Sequence, residues 1–147
     1  MGTLEDSIQI KATPEKVFKW LVHIEENCRV WHPDHIDLRW IKGKPFEEGS
    51  TLYFEEYLHG KLHKGKFLCS RVEPDRKIEY RPLFPMSIIC PKGSFIIKPK
   101  GECCIFTATT YLRVGPLFSR LAKNNIEAIR KHIKEEGENL KRLLERG

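Results

Sequence analysis

The chain predicts an α+β domain: an antiparallel meander followed by one long C-terminal helix, about seven strands in all. Three observations carry this. Apolar and polar residues alternate, with hairpin punctuation, over most of the stretch from Ile36 to Val114. Beyond Gly115-Pro116, no Pro or Gly except Gly137 interrupts the run to Glu145. The chain opens on a strand and short helical segments before the meander begins.

The elements follow in order. Leu4–Ala12 ends in an alternating, strand-like run. Thr13 is a good N-cap, Pro14 suits the first helical position, and Val17, Phe18, Trp20 and Leu21 form an apolar face. A second short helix or loop leads to WHPDHI, where Pro33 breaks helix and leaves His32 and His35 in a loop closing the mouth of the sheet. IDLRWIKG and GSTLYFEEYLHG alternate as strands. The segment from KGKFL to EYRPL gives two strands joined at Pro74-Asp75, and GSFIIKP and CCIFTATTYLRV flank a turn at Lys100-Gly101. The final run of roughly 30 residues makes a helix up to about 45 Å long.

Bulk properties narrow the function. A chain of 147 residues is one domain, residues 1–147, large enough to build its own core. It is 40% hydrophobic and 31% charged, with no apolar run long enough to span a membrane. Five cysteines, without a CxxC pair, read as reduced thiols, and MGTLEDSIQI lacks the features of a secretory leader, so a cytoplasmic protein is expected. A net charge of +6 is compatible with nucleic acid or an anionic surface. The lysines are scattered, however, and no nucleic-acid partner is expected.

The helical wheel gives the first functional signal. With Leu121 at zero, Leu117, Asn125, Ala128, Ile129, Leu140 and Leu143 share one arc, while the opposite arc is charged. His132 falls at about 20° and Glu136 at about 60°, inside the apolar arc. A carboxylate buried there loses several kcal/mol of hydration unless it is paired or binds a metal. Side chains at i and i+4 can converge on one point; a helical His–Glu hydrogen bond at the core edge is the plainer alternative. In the strand STLYFEEYLHG, Leu52, Phe54, Glu56 and Leu58 share one face, and Tyr53, Glu55, Tyr57 and His59 the other. The aliphatic face should meet the helix and carry Glu56 inward; a tyrosine face turned inward is the alternative. Two histidines and two glutamates suit Zn²⁺ first, with Mn²⁺ or Fe²⁺ as alternatives.

The element order, with SIQIKATPEKVFKWL at its start, resembles the Bet v 1 / START-like (SRPBCC) superfamily over essentially the whole chain. The resemblance implies a helix-grip fold: a curved antiparallel sheet wrapped round the long helix, with an apolar cavity between them. WHPDHI, FEEYLHG and HIKEEGENL together resemble the metal-binding segments of the diacetylphloroglucinol hydrolase and phloretin hydrolase family. That implies a zinc ion held by His35, Glu56, His132 and Glu136, with His35 the better match than His32. It also implies hydrolysis of a carbon–carbon bond between a phenolic ring and an acyl group.

The expected function is a metal-dependent hydrolase of a small acyl-aromatic or polyketide-like compound. In it, His32 or a cavity tyrosine such as Tyr57 shuttles a proton. The competing expectation is a non-catalytic carrier of an apolar or aromatic ligand. Trp20 and Trp31 read as core or cavity wall, and Phe84, Pro85 and Met86 as an apolar loop over the cavity mouth.

Overall fold

The computed structural model describes residues 2–58, 60–113 and 116–146, with side chains of the last helix described from residue 126. The strands are β1 (Gly2–Ile10), β2 (His35–Lys42), β3 (Thr51–Leu58), β4 (Lys61–Glu73), β5 (Lys77–Pro82), β6 (Lys92–Lys100) and β7 (Cys103–Leu112). Helices α1 (Pro14–Val22) and α2 (Ile24–Trp31) follow β1, and α3 (Pro116–Arg146) follows β7. The strands form one antiparallel sheet in the order β1-β7-β6-β5-β4-β3-β2. The expected α+β helix-grip architecture is the one observed. His59, and the side chains of Leu117, Leu121 and Asn125, lie outside the described residues.

Local chemistry explains the boundaries. Thr13 is extended and its side chain accepts a hydrogen bond from the Lys16 N–H, capping α1 as its sequence predicts. Pro33 forces the preceding residue out of helical geometry, so His32 is extended and ends α2. The loop reading of WHPDHI needs one correction. The turn is tighter than expected, the His35 N–H already bonds the His32 carbonyl, and His35 is the first residue of β2. Pro99 is tolerated within β6 because β5 pairs only with residues 93–96, leaving no ladder partner on that side.

Helix α3 does two jobs along its length. Leu140 and Leu144 are buried in a core with Ile10, Val17, Leu21, Ile97, Cys104 and Phe106. One to three turns earlier, Ile129, His132, Ile133 and Glu136 face a cavity between helix and sheet. Gly137 sits at the crossing with β1, where an added Cβ would come within 3.4 Å of Ile8 Cγ2. Its lack of a side chain lets the helix approach the strand closely.

Leu140 is fully buried. Leu140→Ala should therefore destabilise the protein by about 2–5 kcal/mol in a denaturant titration, the range for deleting a packed leucine side chain.

Candidate functional site

Backbone register assembles the site. His35 of β2 and Glu56 of β3 are directly paired in the antiparallel ladder, so both side chains leave the sheet on the same face. That face is inward: Leu52 and Phe54, four and two residues before Glu56, are buried. From above, α3 contributes His132 and Glu136, one turn apart and both buried. Trp31 ties the elements together. Its indole N–H donates to the Glu136 carbonyl at 2.9 Å, and its own carbonyl accepts from the Asn139 amide at 2.9 Å.

The donor atoms of His35, His132 and Glu136 converge within 4.8 Å of one another, and Glu56 Oε2 approaches both histidines. His35 Nε2 lies 2.9 Å from Glu136 Oε2, 3.2 Å from His132 Nε2 and 3.8 Å from Glu56 Oε2. His132 Nε2 lies 3.3 Å from Glu136 Oε2 and 3.4 Å from Glu56 Oε2. Four ligands at about 2.0–2.1 Å from a tetrahedral ion would be spaced by about 3.3 Å, in the middle of this range. The chemistry of the donors also fits such an ion. The His35 Nδ1–H donates to the Cys28 carbonyl at 2.9 Å, so a neutral His35 turns its Nε2 lone pair toward the other three groups. His132 Nδ1 is buried without a hydrogen-bond partner among the described residues.

Without a cation, protons do the neutralising. Burial alone would push the His132 imidazole down, but the neighbouring Glu136 carboxylate, aided by Glu56 and Asp34, carries it up to about 9. Burial likewise opposes the charge on His35, and its hydrogen bond and attraction to Glu136 outweigh this and raise it. For Glu136, burial would raise the carboxyl; the charge of His132 and hydrogen bonds from both histidines hold it well below the usual range. Burial raises Glu56, and the histidines offset that only in part.

The cavity below these groups has a volume of about 430 Å³, the size that takes a drug-like molecule. Trp31, Trp40, Phe54, Phe67 and Phe95 supply flat apolar wall. His35, Glu56, His132 and Glu136 make its polar end.

The two candidate proton shuttles are misplaced in the sequence reading. Tyr57 follows Glu56, so strand alternation turns it outward; it is 43% exposed and does not line the cavity. His32 is buried but lies behind His132, ring centroids 4.4 Å apart, and does not line the cavity either. Its Nδ1 accepts the Asp34 backbone N–H, so its Nε2–H donates to Glu135, 3.1 Å away. It braces the metal-ligand histidine of the sequence reading instead of facing a substrate.

Two other residues take the cavity positions. His63 of β4 pairs directly with Glu56, lines the cavity, and has a buried Nε2 without a partner among the described residues. Tyr80 also lines the cavity, and burial raises its phenol far above the ordinary value. The signal for His63 was available: it lies seven residues beyond Glu56 across a tight Gly60 turn, so hairpin register decides its face.

A curved sheet gripping one helix, with a largely apolar cavity between them, defines a Bet v 1-like cavity protein. The chain belongs to the polyketide cyclase/dehydrase and lipid transport family, whose model matches residues 1–145. No curated protein matches its sequence. Among solved structures, the ZhuI aromatase/cyclase from Streptomyces sp. R1128 is similar with a TM-score of 0.78 and 12% identity, covering 99% of this chain and 94% of that one. Norcoclaurine synthase from Thalictrum flavum gives 0.76 and 12%, covering 97% and 93%. The protein TTHA0849 from Thermus thermophilus gives 0.75 and 14%, covering 96% and 95%.

The raised His132 pKa sets a pH window. Its contribution to the stability of metal-free protein is complete below the ordinary value of 6.5 and is lost as pH rises through about 9. Glu136, held low, contributes above its ordinary value of 4.5 and loses that contribution in acid. The melting temperature of metal-free protein should therefore fall as pH is raised from about 6.5 to above 9. His132→Gln should flatten that fall; a wild-type melting temperature constant across this window contradicts the charged pairing.

Proposed function

We propose that this protein is a metal-dependent hydrolase acting on a small acyl-aromatic or polyketide-like compound held in the cavity. His35, Glu56, His132 and Glu136 would hold the ion, with zinc preferred and Mn²⁺ or Fe²⁺ as alternatives. The observation that carries the proposal is the convergence of the His35, His132 and Glu136 donor atoms, 2.9–3.3 Å apart, with Glu56 Oε2 3.8 and 3.4 Å from the two histidines. The likeness of WHPDHI, FEEYLHG and HIKEEGENL to the zinc-dependent acylphloroglucinol hydrolases supports the same donor set.

Such an ion supplies Lewis acidity, polarising a carbonyl and making water a nucleophile near neutral pH. The chain's own residues do the rest. Trp31, Phe67 and Phe95 flank space for a flat ring. His63 lines the cavity opposite Glu56, and its buried Nε2, free of other bonds among the described residues, would pass a proton to or from the substrate. In carbon–carbon hydrolysis the acyl–ring bond breaks, water oxygen ends on the acyl carbon as a carboxylic acid, and the ring carbon takes a proton. The buried Cys28 carbonyl and the Glu135 carboxylate hold His35 and His32 in fixed tautomers, so neither ring has to reorient during the reaction.

The apolar wall favours a second reading, a carrier that binds its ligand without turning it over. The two are separated by metal analysis of protein prepared without a histidine tag. The hydrolase reading expects about one zinc per chain and a melting temperature raised by roughly 5–10 °C at zinc well above its dissociation constant. It also expects release of the acid from an acylated polyphenol, abolished in His132→Ala. Absence of both bound metal and a zinc-induced shift overturns it. Persistent ligand binding after chelation and in His132→Ala would then establish the carrier.

His63→Ala should lower turnover by about 10²–10⁴-fold while zinc content stays at the wild-type level, since the residue acts on the proton and not on the ion. Equal loss of zinc in that variant would assign His63 to metal binding instead.

A further inference from the structure

Exposed large apolar side chains are concentrated at one place. Among the described residues, Leu83, Phe84, Ile88 and Ile89 all face solvent within the segment between β5 and β6, and Phe84 is 78% exposed. Leu62, at the start of β4, is exposed as well. Contiguous apolar surface of this kind marks a binding face.

The segment is two-sided. Leu83, Pro85, Met86 and Ile89 line the cavity, whereas Phe84 and Ile88 do not. It is also pinned at both ends. The Leu83 N–H donates to the Lys66 carbonyl at 2.8 Å, and the Arg113 N–H donates to the Ile89 carbonyl at 2.9 Å. The Ile89 and Cys90 N–H groups both return to the Met86 carbonyl. Phe84 and Ile88 are thus displayed on an ordered turn at the rim of an apolar cavity.

The surrounding charge is predominantly basic. The sequence from residue 57 to 72 contains Lys61, Lys64, Lys66 and Arg71 and no acid, and that from 80 to 101 contains Arg81, Lys92, Lys98 and Lys100 and no acid. The β4–β5 ladder brings these stretches side by side, pairing Leu68 with Arg81. Lys64, Lys66, Arg81 and Arg113 are exposed around the apolar tip. Lys92 is partly engaged by Glu79 at 3.4 Å, and Glu55, across from Lys64, accepts from the Tyr53 hydroxyl.

We infer that segment 83–89 docks the cavity mouth on an anionic lipid bilayer, with Phe84 and Ile88 entering the acyl region and Lys64, Lys66 and Arg81 meeting lipid phosphates. A protruding apolar tip inside a basic collar is the pattern that binds such a surface by area and charge together. The continuity of the tip with the cavity wall favours a bilayer over a folded protein partner, because an apolar ligand could then pass from acyl chains to cavity without crossing water. Metal binding plays no part, so this inference stands or falls separately from the hydrolase reading.

The test is co-sedimentation of the purified protein with vesicles of phosphatidylcholine alone and of phosphatidylcholine mixed with phosphatidylserine, at low and high salt. Binding should be at least about tenfold stronger to the anionic vesicles and should weaken with salt. The double substitution Phe84→Ser, Ile88→Ser should weaken it about tenfold with the melting temperature unchanged, since both side chains are exposed. Lys64→Glu with Lys66→Glu should remove the preference for anionic lipid. No vesicle binding, equal binding to both vesicle types, or binding indifferent to the Phe84 and Ile88 substitutions overturns the inference.

Discussion

Two carboxylates and two imidazoles confined within a few ångströms, on an otherwise apolar wall, must neutralise one another or share a cation. The rest of this structure is arranged around that constraint. Removing such groups from water costs more than a mutual attraction of ordinary geometry returns. A hydrophobic quartet of similar volume would serve the fold at least as well. The cluster is therefore better understood as a site the fold tolerates than as a prop that stabilises it. Trp31, the Cys28 carbonyl and the Asn139 amide fix the surrounding backbone and ring orientations. A less rigid frame would let the carboxylates swing to solvent and relieve the strain of their burial.

The division of labour along α3 makes this tolerable. Leu140 and Leu144 anchor the C-terminal turns in a core shared with α1 and the β1-β7-β6 side of the sheet. The turns bearing His132 and Glu136 can then overhang a cavity without being needed for cohesion. On the other side of the cavity, β3 and β4 place Phe54 and Phe67 in a stacked pair, centroids 4.4 Å apart, next to Glu56 and His63. Flat apolar surface and ionisable groups thus share one strand pair. A ligand with an aromatic body and a carbonyl head would find both at once.

The family relation fits this picture while leaving the chemistry to the site. Structures of the same fold at 12–14% identity include an aromatase/cyclase and norcoclaurine synthase, so the fold alone does not fix a reaction. What distinguishes one member from another is which side chains the sheet and helix turn inward.

Sequence alone determined the class of fold, the order of its elements and the inward face of β3. These are set by local periodicity, by Thr13 and Pro14 opening α1, and by prolines and glycines at the breaks. It also placed His132 and Glu136 on the buried arc of α3, because helical spacing links sequence position directly to direction. Tertiary structure alone decided which side chains meet. The same alternation that carries Glu56 inward turns Tyr57 to solvent, and the tight turn at Pro33 moves His35 onto β2 while leaving His32 behind His132. His63 enters the cavity only because β3 and β4 pair with Glu56 and His63 opposite each other. That register is local to one hairpin, whereas the meeting of β2, β3 and α3 around His35 and His132 is a long-range choice that no short window of residues contains.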